Sequence, residues 1–190
     1  MSITHATPTF IKYIFGLIML AAVFNFLPIN LYRDLPHINT SDLNNDKDRT
    51  DYYMVTRVVD GDTIVIDING VQEKVRLIGI NSPESVDPRR NFECYGIEAS
   101  KYMKSIANGQ YVQLEYDSSQ DKRDKYDRLL AYLYLQDGQM LNKKMIADGY
   151  AYEYTYNKPY KYQKEFKAAQ SIATYSDRGL WAAETCAGKK

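Results

Sequence analysis

Two short segments of the chain concentrate residues that can do chemistry. One runs Asp60-Gly61-Asp62-Thr63 and is followed by Arg76 and by Asn81-Ser82-Pro83-Glu84; the other is Asp121–Arg128, which reads DKRDKYDR. Carboxylates and amide oxygens suit a hard cation, guanidiniums suit an oxyanion, and a carboxylate can also take a proton. The chain's 190 residues include only two histidines, His5 and His37, both in its first fifth. The main body therefore has no imidazole. Its two cysteines cannot complete a tetrahedral zinc site without one. A Ser-His-Asp triad, a Cys-His pair and a histidine nucleophile are excluded for the same reason. Catalysis there has to rest on carboxylates, Arg, Lys, Tyr or a metal ion bound through oxygen. Taken singly, each segment reads as ordinary: Asp-Gly-Asp as a strand-joining turn, Asn-Ser-Pro-Glu as a turn or helix start, Arg76 as an exposed strand residue and DKRDKYDR as a solvated loop.

The surrounding patterns describe the elements that must position these residues. Tyr53–Val59 and Thr63–Ile68 are β-branched and partly alternating, which predicts strands. Asn69-Gly70 is a strong hairpin signal, and Val71–Ile80 returns as a third strand. Ile97–Ala107 has helical apolar spacing and ends at Asn108-Gly109. Tyr111–Tyr116 and Leu129–Leu135 read as two more strands, with helices at Met140–Ala147 and at about Tyr160–Tyr175. Five short antiparallel strands with about three inserted helices predict a β-barrel with helices (α+β), a five-stranded Greek-key barrel of the OB type, over residues 52–190.

The first fifty residues stand apart from this domain. Tyr13 to Tyr32 is a run of twenty residues without a charge, long enough as a helix to cross a hydrocarbon core of about 30 Å. Residues 1–32 are expected to be a signal-anchor or transmembrane segment, with a cleaved signal peptide as the competing reading. Residues 33–51 are rich in Asp, Asn, Ser and Thr and read as a flexible polar linker. Either reading places the remainder outside the cytoplasm: N-terminally membrane-anchored as the first expectation, secreted after cleavage as the alternative.

The balance of charge also restricts function. Lys plus Arg and Asp plus Glu both total 24; four of each sign lie in the first fifty residues, which leaves twenty against twenty in the domain. That argues against a polycationic nucleic-acid coat and leaves room for a local basic site.

Taken together, the motifs match a known pattern. Asp60-Gly61-Asp62-Thr63, the stretch from Arg76 to Glu84 (RLIGINSPE), Tyr95-Gly96-Ile97-Glu98-Ala99 and Asp124-Lys125-Tyr126-Asp127-Arg128 follow one another in order. Leu129-Leu130-Ala131-Tyr132, Asp148-Gly149-Tyr150-Ala151 and Gly179-Leu180-Trp181 continue the series. The chain from Tyr53 to Trp181 resembles the staphylococcal (micrococcal) nuclease family. The resemblance implies an OB-fold, calcium-dependent phosphodiesterase acting on DNA and RNA, single strands preferred, as a monomer. It implies water attack on phosphorus and release of the 5′-oxygen, leaving 3′-phosphate ends.

Carried over by position, Asp62 and Asn81 would bind Ca2+ through their side chains and Ser82 through its backbone carbonyl. Arg76 and Arg128 would grip the scissile phosphate, and Glu84 would act as general base or orient the attacking water. Lys125 and Tyr126 would lie near the nucleotide. Tyr154 and Tyr156 are the nearest counterparts of the family's paired nucleotide-contacting tyrosines, although counting back from Lys158-Pro159 places Thr155 and Asn157 there instead. The roles agree with the chemistry: calcium prefers oxygen, and two guanidiniums stabilise charge where it develops on the nonbridging oxygens. Three positions depart from the family pattern. Asn81 replaces an Asp and removes one formal charge from the metal site, Ser82 replaces a Thr, and Asp127 replaces a Gly beside Arg128, where it would crowd or pair with that side chain.

Because Arg76, Glu84 and Arg128 are all present, an active enzyme is expected ahead of its alternative, a non-catalytic OB-type module for single-stranded nucleic acid. A structural surface domain is a third reading. Eighteen tyrosines crowd especially between Tyr150 and Tyr162; at least half are expected to be packing or loop aromatics, and the others suit sequence-tolerant stacking. In an oxidising compartment Cys94 and Cys186 are expected to form one disulfide, against two free thiols as the alternative.

Overall fold

The computed structural model describes residues 51–85 and 93–189. The apolar run at 13–32 and the linker up to residue 50 lie outside the described residues. Among those described, no helix is long and apolar enough to cross a membrane.

Five strands close a barrel in the order β1-β2-β3-β6-β5: β1 (Tyr52–Val58), β2 (Thr63–Ile68), β3 (Val71–Leu77), β5 (Tyr111–Glu115) and β6 (Leu129–Leu135). Four neighbouring pairs are antiparallel, and β3 with β6 is parallel, through Val75↔Leu129, Arg76↔Leu130 and Leu77↔Ala131. The all-antiparallel expectation fails there for a geometric reason. Strand directions cannot alternate all the way round a closed ring with an odd number of strands, so one pair must be parallel.

Local sequence sets the two hairpins. Asn69 and Gly70 both take positive φ, 54° and 86°, as a type I′ turn requires, and the Gly70 N–H donates to Asp67 Oδ1 at 2.7 Å. Between β1 and β2, Asp60 Oδ1 accepts the Asp62 N–H at 3.0 Å, an Asx turn that explains the Asp-Gly-Asp sequence.

The third strand is shorter than its sequence suggests. It ends at Leu77, and Gly79 turns the chain with φ 80°. A Cβ at Gly79 would stand 2.6 Å from the Tyr160 ring and 2.9 Å from Phe166, so only glycine lets the backbone pass. After it, β4 (Ile80–Asn81) leaves the barrel and pairs with β7 (Tyr152–Glu153), a strand the sequence pattern does not announce. The break carries Asn81 away from β3 and beside Tyr152.

Among the described residues three α-helices pack on this frame: α1 (Gly96–Ala107), α2 (Leu141–Ala147) and α3 (Gln163–Tyr175). Val55, Ile64, Ile66, Val75, Val112 and Leu133 are buried in the barrel, with Met103 of α1 and Met145 of α2 against them. Fully buried Asn142 ties α2 to the sheet. Its Oδ1 accepts the Leu133 N–H at 3.0 Å, and its Nδ2 donates to the Ile78 carbonyl at 2.9 Å. Cys94, ahead of α1, is bonded to Cys186 near the C-terminus, with Cα atoms 5.9 Å apart.

Candidate active site

The parallel pair β3–β6 does the main positioning. Arg76 projects from β3 and is in register with Leu130 on β6. Arg128 lies directly before β6, two residues ahead of Leu130, and it lines the same cavity as Arg76. Thr63 of β2 is the antiparallel partner of Arg76, and its Oγ1 lies 3.4 Å from Arg128 Nη1.

Each of these arginines is already held by a carboxylate. Arg76 Nη2 lies 3.1 Å from Asp62 Oδ2, and its Nη1 donates to the Leu77 carbonyl at 3.0 Å. Arg128 points both Nε, at 2.7 Å, and Nη2, at 2.6 Å, at Asp124 Oδ2. Burial raises the Asp124 carboxyl, but the hydrogen bonds and charge of Arg128 and the N–H of Tyr126 outweigh it and hold the acid below its ordinary value.

Two of the oxygens expected to hold a metal lie beside Arg76. Asp62 Oδ2 and Asn81 Oδ1 lie 3.1 and 3.4 Å from the same nitrogen, Arg76 Nη2. The Ser82 N–H donates to Asp62 Oδ2 at 2.8 Å. That approach depends on Gly61, where a Cβ would stand 2.6 Å from the Ser82 Cβ. Asp60 adds a second carboxyl, pushed up to about 7 by burial and by the neighbouring charge of Asp62. The donors are carboxylates, an amide and backbone, without nitrogen or sulfur ligands, and this set fits a hard cation such as Ca2+. Among the described residues no three of His, Cys, Asp or Glu converge as a metal cluster. With Asn81 in place of an acid, most of the ligation would fall to neutral oxygens.

A cavity of about 540 Å3 opens in front of the arginines. Arg76, Asn81, Lys125, Tyr126, Arg128, Tyr154 and Tyr156 all line it; Asp62, Ser82 and Glu84 do not. Asp62 joins the site through Arg76. Glu84 sits half-buried outside the lining: its Oε1 accepts the Ser85 N–H at 2.9 Å, its own N–H donates to Glu93 Oε2 at 3.0 Å, and its carbonyl accepts the Glu93 N–H at 3.1 Å.

The tyrosines divide by direction. Tyr126, Tyr154 and Tyr156 expose 68%, 42% and 60% of their surface. The Tyr154 and Tyr156 rings lie 6.3 Å apart at 34°. Thr155 turns away, with its hydroxyl between Glu153 Oε1 and Gln163 Nε2, both at 2.6 Å. Of the alternative pair, Asn157 alone reaches the cavity. Tyr132, Tyr134 and Tyr160 are held inward by Asp117, Glu115 and Glu153, and burial pushes each phenol above its ordinary value.

Sequence reading assigned no role to Asp60, Asp124 or Glu73, although Asp60 and Asp124 sit inside the quoted motifs. Asp127 was expected to crowd or pair with Arg128. It pairs with Arg123 instead, at 3.6 Å, and takes φ 63°.

Residues 74–183 match the model of the staphylococcal nuclease homologue family. Thermonuclease of Staphylococcus hyicus is 37% identical over 166 residues, which cover 87% of this chain and 95% of that one. Thermonuclease of Staphylococcus intermedius is 41% identical over 133 residues, 70% of this chain and 77% of that one. Endonuclease YncB of Bacillus subtilis is 36% identical over 126 residues, 66% of this chain and 59% of its own.

Proposed function

The chain belongs to the staphylococcal nuclease family and is a nuclease, and from that premise we propose a calcium-dependent phosphodiesterase that hydrolyses DNA and/or RNA, single strands preferred. The observation that carries the reading is the placement of Arg76 and Arg128 on one cavity, with Arg128 reaching Thr63, the β2 partner of Arg76, and with the Asp62 and Asn81 oxygens beside Arg76.

Asp62 and Asn81 would hold the ion through their side chains, with the Ser82 carbonyl as a further ligand. Bound there, calcium would supply positive charge to the phosphate oxygens and make water more acidic. The two guanidiniums engage the nonbridging oxygens and stabilise the charge that builds on them as water attacks. Their carboxylate partners hold the forks in place beforehand, which lowers the reorganisation needed at reaction. Glu84 serves as general base or orients the water. The bond to the 5′-oxygen breaks and a 3′-phosphate remains. Lys125 and Tyr126 meet the nucleotide from the loop, and Tyr154 and Tyr156 stack on bases of any identity. The domain acts as a monomer on the outer side of the cytoplasmic membrane, tethered by residues 33–51 to an anchor in residues 1–32, or released after cleavage.

The deciding experiment measures single-stranded DNA cleavage with calcium, with a chelator, and with Glu84→Gln. Cleavage that requires calcium and falls at least about a hundredfold in the Gln variant is expected. Cleavage unaffected by chelation would overturn the metal assignment, and full activity in the Gln variant would remove Glu84 from the chemistry.

A further inference from the structure

A third arginine, Arg123, also lines the cavity, and its guanidinium faces the chain. Nη2 donates to Glu73 Oε1 at 2.9 Å and Nη1 to Glu73 Oε2 at 3.0 Å, a fork-to-fork pair across fifty residues of sequence. Nη1 also donates to the Asp127 carbonyl at 2.7 Å, and Nε lies 3.6 Å from Asp127 Oδ1. With its donors directed in this way, Arg123 is poorly placed to act as another phosphate grip.

The segment that Arg123 holds is the one that carries Arg128. It lies between β5 and β6 and closes on itself. Asp124 N donates to the Arg128 carbonyl at 3.0 Å, Asp124 Oδ1 accepts the N–H of Tyr126 at 2.9 Å and of Arg128 at 3.0 Å, and Leu130 N donates to the Lys122 carbonyl at 3.0 Å. These bonds make residues 122–130 a local unit, which joins the barrel at Leu129 and Leu130 of β6, paired with Val75 and Arg76 of β3. The Arg123–Glu73 pair adds a second, side-chain tie on the incoming arm of the loop, because Glu73 belongs to β3, the strand that also carries Arg76. Hydrogen bonding from Arg123 holds the Glu73 carboxyl below its ordinary value, so the pair is charged at neutral pH. The carbonyl of Asp127 reaches Arg123 with the backbone at φ 63°.

We propose that Arg123 is a positioning residue that, clamped by Glu73 of β3, pins the 122–130 loop and so aims the Arg128 guanidinium at the position Arg76 shares. Its kinetic consequence rests on the nuclease reading above; its structural consequence does not.

Two measurements on the full chain test it. In the first, Arg123→Ala and Glu73→Gln should each lower kcat for single-stranded DNA about tenfold with KM changed less than about twofold. Added to Arg128→Lys, which has no fork left to aim, Arg123→Ala should change kcat by less than about twofold. A further tenfold loss in that background would mean that Arg123 touches substrate itself, and would overturn the positioning role. In the second, trypsin should cut Glu73→Gln within residues 122–128 about fivefold faster than the parent, at an unchanged melting temperature. The exchanged pair Glu73→Arg with Arg123→Glu should restore the parental rate. An unchanged cutting rate in Glu73→Gln would overturn the brace. If the parent chain fails to cleave nucleic acid, the nuclease reading fails and the trypsin comparison still decides the brace.

Discussion

The cavity has two walls of opposite construction. On one, Arg76 comes from β3 and Arg123 and Arg128 from the loop between β5 and β6, and each guanidinium is tied to a carboxylate: Asp62 at 3.1 Å, Glu73 at 2.9 Å and Asp124 at 2.6 Å. On the other, Tyr154 and Tyr156 present exposed rings whose recorded ring contact is with each other. Tyr160, a few residues on, is held differently: its hydroxyl is bound by Glu153 at 2.9 Å and the Gly79 carbonyl at 3.3 Å. A fixed array of charges suits an event whose geometry is the same in every substrate, the attack on phosphorus. Exposed rings suit bases that differ from one nucleotide to the next. The contrast also explains how a domain with equal numbers of acids and bases can take an anionic substrate. The carboxylates cancel the net charge while orienting the arginines.

Loss of a guanidinium should have the largest effect, and it should appear in kcat. Arg76→Lys and Arg128→Lys are each expected to reduce kcat about a hundredfold while the fold persists, since an ammonium cannot engage two oxygens together. Near-parental kcat in both would break the assignment of chemistry to that wall. The aromatic wall should respond in affinity instead. Tyr154→Ala and Tyr156→Ala are each expected to weaken single-strand binding by about 1–3 kcal/mol, with kcat at saturation little changed. A reversed pattern, with kcat falling and affinity intact, would erase the division between the walls.

The Asp124–Arg128 pair gives a pH test of the charged wall. The folded Asp124 carboxyl lies below its ordinary value, so its contribution is fully present above the unfolded value of about 3.9 and is lost as pH falls through the lower folded value. Thermal melts of the parent and Asp124→Asn should differ by about 2 kcal/mol at neutral pH and converge in the acid range below about pH 4. A difference that persists unchanged into that acid range would assign the stabilisation to something other than the charged carboxylate. The smallest effect is expected at Asp127. Glycine there would relieve the left-handed backbone but add chain entropy to the unfolded state and remove an exposed ion pair, so Asp127→Gly should shift stability by less than about 1 kcal/mol. Denaturant titration would detect a larger change.

Much of this molecule is written in short stretches of its sequence. The Asx turn at Asp60, the type I′ turn at Asn69-Gly70 and the patterned strands follow from residues that interact within a few positions of one another. So does the exclusion of imidazole chemistry, which is a matter of count. The site motifs are legible for the same reason: Asp62, Arg76, Asn81 and Arg128 belong to short segments whose residue types already limit what they can do.

Barrel closure decided the rest. Closure of the ring sets β3 alongside β6 and so brings Arg128 to the cavity that Arg76 lines, a relation that no local pattern carries. The break at Gly79 shows the limit of a strand pattern: VQEKVRLIGI reads as one strand, yet the ring of Tyr160, eighty-one positions away, requires a turn there. The two registers of the tyrosine stretch stay equivalent in sequence until Gln163 of α3 draws Thr155 away from the cavity. Glu73 is the plainest case. In sequence it is one acidic residue on an alternating strand; its meaning comes from Arg123, fifty residues later, and two side chains so far apart in the chain meet only where the tertiary fold places them.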